Sequence, residues 1–361
     1  MKQNLCKPYL SLQIDKIVVR GPCSHRIFGS GLWHRFDRNT GDEKFGGDRV
    51  DGDVGHRDCT FRAKSMRGQT DGTALELWIE CCPPKVLQRH NAFGHADMLT
   101  AVYQVFCRVT DALKIKVSPE DRERWRTGEF WLTEVHLTGT FKCPRLAVLP
   151  IIQAIDEAFT EGKHRNIKTS ITVGSPGMRR SKHRAFVAYD KYLERLADWS
   201  NPGPYQARIL DWLRETLRLE LKLYSDGLRH RGLQLGRAWR DVDVMELYFG
   251  FIESFGLKAC MQPLLTADEE AMLTHSERRV YKRWLKGESL AEQFDSRSTR
   301  TKYTNAIYKK TQINISSNRR PDPLQPVDTR DVFRQDNLMT IPEWAVGTPY
   351  FAAPSQRWLG E

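Results

Sequence analysis

The chain has 361 residues, of which 40% are hydrophobic, 10% aromatic and 28% charged, enough apolar material for two domains with cores of their own and too much for a disordered chain. No run approaches the roughly 18 apolar residues that cross a bilayer, and the start, MKQNLCKPYLSLQ, lacks the apolar stretch of a secretory signal. A cytoplasmic protein with no membrane partner is expected, its eight cysteines staying free thiols because none forms a Cys-x-x-Cys pair.

The net charge of +11 is concentrated. Lys163 to Arg195 holds nine Lys/Arg against two Asp/Glu, and Arg278 to Lys310 ten against three, so these windows carry more than the whole excess. Two basic surfaces on a nearly neutral scaffold suit a polyanion, because each neutralised phosphate releases a counterion. Solvated lysine-rich helix faces are the plain alternative.

In chain order, Leu12 to Val19 alternates as a strand and Gly21-Pro22 ends it. His25 to Asp58, rich in Gly, Asp and Arg, reads as a long excursion. Its Asp48, Asp51 and Asp53 miss the spacing of a calcium loop. Ala74 to Ile79 is a second strand, stopped by Pro83-Pro84, and Lys85 to Gly94 follows as a loop. Val102, Phe106, Val109 and Leu113 mark a helix, Trp131 to Phe141 a strand, and Val148, Ile152, Ile155 and Phe159 a second helix. Ser170 to Val173, Ala185 to Tyr189 and Leu217 to Leu223 are further strands. The interleaving predicts an α+β fold, an antiparallel-rich central sheet flanked by helices. Beyond Gly227 the pattern turns helical, and after Ser317 it dissolves into a proline-rich end.

Four groups of residues could carry chemistry. Glu134, His136 and Thr138 alternate along WLTEVHLTGTF and so share a strand face, where a carboxylate and an imidazole can hold a divalent cation or be solvent-facing. Tyr189 and Lys191 lie in FVAYDKY inside the first basic window. A tyrosine attacking a phosphodiester needs activation and nearby cations, whereas core tyrosines are commoner. Arg218, Glu220 and Lys222 share the polar face of LRLELKL, as an ion-pair ladder or with Glu220 as a metal ligand. His90 and Asn91 can bind a base, a phosphate or a metal, or be structural.

The segment CPPKVLQRHNAFG at 82 to 94 resembles the signature of the filamentous phage gene II replication proteins. In the same order as in that family come IDKIVVRGP (14 to 22), EVHLTGTF, HRAFVAYDKYLE (183 to 194) and LRLELK (217 to 222). The family is similar in logic to rolling-circle initiators of the HUH type, which hold a divalent metal beside a nicking tyrosine. The resemblance implies Tyr189 as nucleophile and Lys191 as its catalytic partner. It also implies Mg or Mn held by Glu134, His136, Glu220 and His90, although Glu134-Val135-His136 departs from the family's Arg-Ile-Asp-like strand. Contacts to DNA would come from Asn91, Arg179, Arg180, Lys182, Arg184 and Arg218.

The second basic window reads as helix, Gly287 turn, short helix and basic helix. That resembles a helix-turn-helix, with Arg297, Arg300 and Lys302 on DNA; a packed helical hairpin is the alternative. The expected organisation is a nicking endonuclease at 1–225, a helical DNA-binding domain at 226–316 and a tail or extension at 317–361. Such a protein would work in the cytoplasm of a bacterial host on duplex and single-stranded origin DNA, with host helicase and polymerase as partners. A non-catalytic origin-binding or repressor protein of the same descent, or a nuclease that uses water, are the rival readings.

Overall fold

The computed structural model describes residues 9–28, 32–36, 43–47, 50–53, 60–159, 163–167, 169–174, 183–257, 265–311, 313, 315–316 and 329–354. The strands are β1 (Leu12–Arg26), β2 (Leu32–Phe36), β3 (Glu43–Gly47), β4 (Val50–Asp53), β5 (Thr60–Gly68), β6 (Thr73–Cys81), β7 (Trp131–Lys142), β8 (Lys163–Ile167), β9 (Ser170–Gly174), β10 (Arg184–Tyr189) and β11 (Thr216–Tyr224). The helices are α1 (Pro83–Gln88), α2 (Met98–Ala112), α3 (Pro119–Arg126), α4 (Arg145–Ala158), α5 (Lys191–Asp198), α6 (Pro204–Leu213), α7 (Ser225–His230), α8 (Val244–Phe255), α9 (Ala267–Ala271), α10 (His275–Leu285), α11 (Leu290–Gln293), α12 (Arg297–Thr311) and α13 (Thr329–Val332). Among the described residues no helix is long and apolar enough to cross a membrane.

Nine strands form one antiparallel sheet in the order β4-β5-β6-β1-β7-β11-β10-β9-β8, the α+β architecture expected from the interleaved pattern. Alternation splits its central strands into two faces. Ile17 and Val19 of β1, Val135 and Leu137 of β7, Leu219 and Leu221 of β11 and Phe186 of β10 are buried in one core. That core also takes in Val102, Phe106 and Val109 of α2 and Val148, Ile152 and Ile155 of α4, so the helical periodicities in the sequence are core stripes. The opposite face of the same strands is polar and carries the candidate site.

Two strand ends differ from the sequence pattern. β1 does not stop at Gly21-Pro22 but continues to Arg26, with a register shift between Pro22 and His25. Trp125 packs against this stretch: a Cβ on Gly21 would lie 2.6 Å from its ring, and its indole N–H donates to the Pro22 carbonyl at 2.7 Å. The double proline, expected to lead into a loop, instead opens α1, where missing N–H groups cost nothing.

Gly139 of β7 faces a close approach. It pairs with Leu219 of β11, and the Tyr248 hydroxyl accepts from its N–H at 3.1 Å while donating to the Leu219 carbonyl at 2.8 Å. A Cβ there would lie 2.7 Å from that hydroxyl. Gly139→Ala should therefore lower stability by about 1–3 kcal/mol, read as a lower urea midpoint.

The sequence pattern assigns α8 to a separate helical domain from 226, yet its Tyr248, Phe251 and Ile252 belong to the core under the sheet. A second core begins only in the 265–315 region, where Leu273, Val280, Tyr281, Trp284, Leu290, Ile307, Ile313 and Ile315 cluster. Of the tail or extension expected at the C-terminal end, the described residues 329–354 form an extension that returns to the molecule. Met339 donates to the Thr140 carbonyl, Ile341 to Tyr9, and Phe351 packs with Phe93, Ile209 and Leu213. Apolar residues at 338, 341, 344, 345 and 351 give this strap its grip, a signal that prolines and charges nearby conceal.

Candidate active site

The polar face of the central strands is assembled by register. Across β7 and β11, His136 pairs with Lys222 and Thr138 with Glu220; across β11 and β10, Arg218 pairs with Tyr189. On β1 a register shift between Ile14 and Lys16 breaks the alternation, and the adjacent Asp15 and Lys16 both reach the same cavity, as a bulge allows. The cavity, about 740 Å³, is lined by Asp15, Lys16, Arg62, Glu80, Lys85, Asn91, His136, Glu220 and Lys222, with others from β4 and β5.

Charges alternate in sign across this face from β4 to β11. Asp51 meets Arg62 at 3.4 Å, Arg62 meets Glu80 at 3.6 Å, Glu80 meets Lys16 at 2.9 Å and Lys16 meets Glu134 at 3.0 Å. His136 then stands between two carboxylates, Nε2 donating to Glu134 at 2.7 Å and Nδ1 to Glu220 at 2.5 Å, with Lys222 3.4 Å beyond Glu220. Burial by itself would depress the imidazole, but the charge of Glu220 and the hydrogen bonds to both carboxylates outweigh it and raise its pKa. Burial opposes ionisation of Glu134 as well, yet His136 and Lys16 bring it down to about 2. Glu220 is lowered in the same way, against its burial, by His136, Lys222 and Arg218.

This clamp should leave a mark on stability. His136 is raised on folding, so its contribution is complete below its unfolded value of about 6.5 and is lost as pH climbs through the folded value. Glu134 acts at the acid end, contributing above about 4.5 and losing that contribution as pH falls through 2. His136→Gln should flatten the neutral-to-alkaline fall in thermal midpoint; an unchanged profile would assign that fall to other groups.

A second, internal network lies beside the clamp. The Arg218 guanidinium is fully buried, donating to the carbonyls of Asn91 at 2.5 Å and Ala92 at 3.2 Å and to Asp15 at 3.2 Å. Asn91 donates to Asp15 at 3.0 Å and accepts from Arg195 at 2.5 Å. Tyr189, 8% exposed, ends β10 between cations: the Arg218 guanidinium is 5.9 Å and the Lys191 ammonium 5.6 Å from its ring centre. Burial pushes its phenol well up, Arg218 opposes this, and Glu220, Asp15 and Glu194 add to it. Lys191 is buried, paired with Glu194 at 2.6 Å, and driven down to about 8 by burial and by Arg218 and Arg195.

Tyr189, Lys191, Arg218, Glu220, His136, Glu134 and Asn91 are thus brought together. Three expectations need correcting. His90 does not join the carboxylates: Nδ1 accepts from the Ala92 N–H at 3.2 Å, and Nε2 faces the Tyr350 carbonyl and Tyr205 hydroxyl, both at 2.9 Å. No lone pair is left for a metal, and burial lowers its pKa to about 3; it pins the strap to the site loop. Arg184 stands on the face of β10 opposite Tyr189, its guanidinium over Phe255 at 4.5 Å and donating to Ser254 at 2.5 Å. Arg218 is an internal tie and no surface contact. Arg179, Arg180 and Lys182 lie outside the described residues, and Arg297, Arg300 and Lys302 sit apart on α12.

Asp15 and Lys16 lie in the segment IDKIVVRGP, where the resemblance gives them no role, and Glu80 and Arg195 belong to none of the segments that carry it. Adjacent charges in the apolar run IDKIVV do signal a bulge, and Arg195 stands one helical turn after Lys191 on the same face.

The match to a protein family defines the chain as a phage-type rolling-circle replication initiator. The family of phage replication-associated proteins of the gene II type, in its N-terminal part, matches residues 53–242, and the chain belongs to that family. The replication-associated protein of this type from Enterobacteria phage I2-2 is 24% identical over 242 residues, covering 65% of this chain and 68% of that protein. A solved rolling circle replication initiator protein from Geobacillus stearothermophilus aligns over 85% of this chain and 99% of its own at 8% identity, with a TM-score of 0.30.

Proposed function

We propose that the chain nicks one strand of origin DNA by transesterification to Tyr189. The observation that carries this is the pairing of Tyr189 with Arg218 on neighbouring strands, which puts the tyrosine on the sheet face that also carries Glu220 and His136. The phenol oxygen attacks the scissile phosphorus as its proton leaves. The phosphorus–O3′ bond breaks, and the 3′ oxygen takes up a proton to become a 3′-OH. The 5′ phosphate remains as an ester of Tyr189, which conserves the bond energy, so the reverse attack by a 3′-OH recloses the strand without a nucleotide cofactor. Lys191 faces the negative charge that develops on phosphorus oxygens, while Arg218 braces Tyr189 and the Asn91–Ala92 backbone from inside. The free 3′-OH suits a host polymerase as primer, and strand displacement calls for a host helicase in the bacterial cytoplasm.

Glu134, His136 and Glu220 fit a divalent ion by donor type, two carboxylates each in contact with one imidazole. Among the described residues no three such side chains converge on one point, because the imidazole spends both nitrogens on the carboxylates. Mg or Mn held there would take over the positive charge that the imidazolium now supplies, and when bound would polarise a phosphoryl oxygen.

The test uses 3′-labelled single-stranded oligonucleotides tiled across the replicon's origin region, with Mn²⁺ or Mg²⁺. Label should migrate with the protein on a denaturing gel, and EDTA should abolish this. A nick without attached protein would assign the attack to water; binding without a nick would leave the repressor reading.

A further inference from the structure

The helical unit at 265–315 spends its cations unevenly. On α10, Arg278 and Lys282 pair with Glu270 at 3.7 and 2.7 Å and Arg283 with Glu288 at 2.5 Å, while Arg279 is exposed and in no ion pair among the described residues. Helix α12 has no acidic residue; its Lys310 pairs with Glu277 at 2.6 Å, and its Arg297, Arg300, Lys302 and Lys309 make no ion pair among the described residues. Its packed edge is Ile307 and Thr311, both buried, with Tyr303 stacked on Phe294 at 5.0 Å. Arg300, half-buried, falls toward that edge.

The opposite edge is Ser298, Thr301, Lys302, Asn305 and Lys309, all exposed and spaced to form one stripe at 3.6 residues per turn. It offers hydroxyls, an amide and two ammoniums, with no carboxylate and no large apolar side chain. A face meant only for solvent normally mixes both signs, and a protein-docking face carries aromatic or aliphatic anchors. A straight helix presenting short hydrogen-bonding groups matches the width and donor–acceptor pattern of a major groove.

We propose that α12 reads base edges of duplex DNA in the major groove, with Asn305 and Lys302 on bases and Arg297 and Lys309 on flanking phosphates. This rests on the reading of the chain as an initiator acting on DNA, and it adds the element that selects the origin. The experiment is selection by the full chain from duplexes carrying a randomised stretch of about 20 base pairs, with wild-type nicking of single strands measured in parallel. A consensus should emerge. Asn305→Ala and Lys302→Ala should each weaken the selected duplex on the order of 10- to 100-fold while barely changing a scrambled one. Arg297→Ala should weaken both and lower the salt slope by about 0.9. All three positions are exposed, so circular dichroism should confirm retained fold. A consensus bound equally by Asn305→Ala and Lys302→Ala overturns the assignment to α12. Absence of any consensus while wild-type nicking persists overturns base reading alone, whereas loss of consensus, binding and nicking together overturns the initiator reading as well.

Discussion

Tyr189→Phe should abolish the protein–DNA adduct, lowering its rate of formation by at least about 10⁴-fold, since no other atom of the site replaces a missing nucleophile. Among the described residues its hydroxyl has no hydrogen-bond partner, so stability should change by no more than about 1 kcal/mol. The competitor is Tyr192, and the two stand in different surroundings. Tyr189 closes a strand and points to the face of Arg218 and Glu220. Tyr192 lies in the first turn of α5, where the Arg145 guanidinium sits 5.1 Å over its ring. Lys191 and Arg195, four apart, turn the other side of α5 to the site. Tyr192→Phe should therefore retain the adduct. Peptide mapping of the trapped complex to Tyr192 would reverse the assignment.

The second large effect concerns stability. Arg218→Met would strip Asp15 of its charge partner and leave two carbonyls in the interior without donors. Removing one member of a buried ion pair costs about 3–5 kcal/mol, and a urea titration should show a loss of that order together with loss of nicking. The companion Asp15→Asn removes the stranded charge, so the double variant should recover a good part of the loss; strict additivity of the two single effects would mean that the pair is not coupled. Arg218 thus acts on the site by holding the Asn91–Ala92 backbone and bracing Tyr189.

These two residues also mark how far sequence and tertiary structure each reach. The alternation of Trp131 to Phe141 and Leu217 to Leu223 was enough to place Glu134, His136 and Glu220 on polar strand faces, because side-chain direction in a strand is a local property with period two. Helix stripes at Val102 and Val148 and the helix–turn–helix order around Gly287 were legible for the same reason, each being set by neighbours within a few residues. Local pattern could not say which strands pair. Only the order β1-β7-β11-β10 brings Asp15, His136, Glu220 and Tyr189 together from distant parts of the chain, and only the bulge after Ile14 turns Lys16 to their side. Burial was equally out of reach: Arg218 and Glu220 are both charged residues of one strand, yet one is an internal tie and the other faces the cavity. His90 lost its expected role to a carbonyl 260 residues away. That outcome depends on where a strap docks, and no spacing within the local motif encodes it.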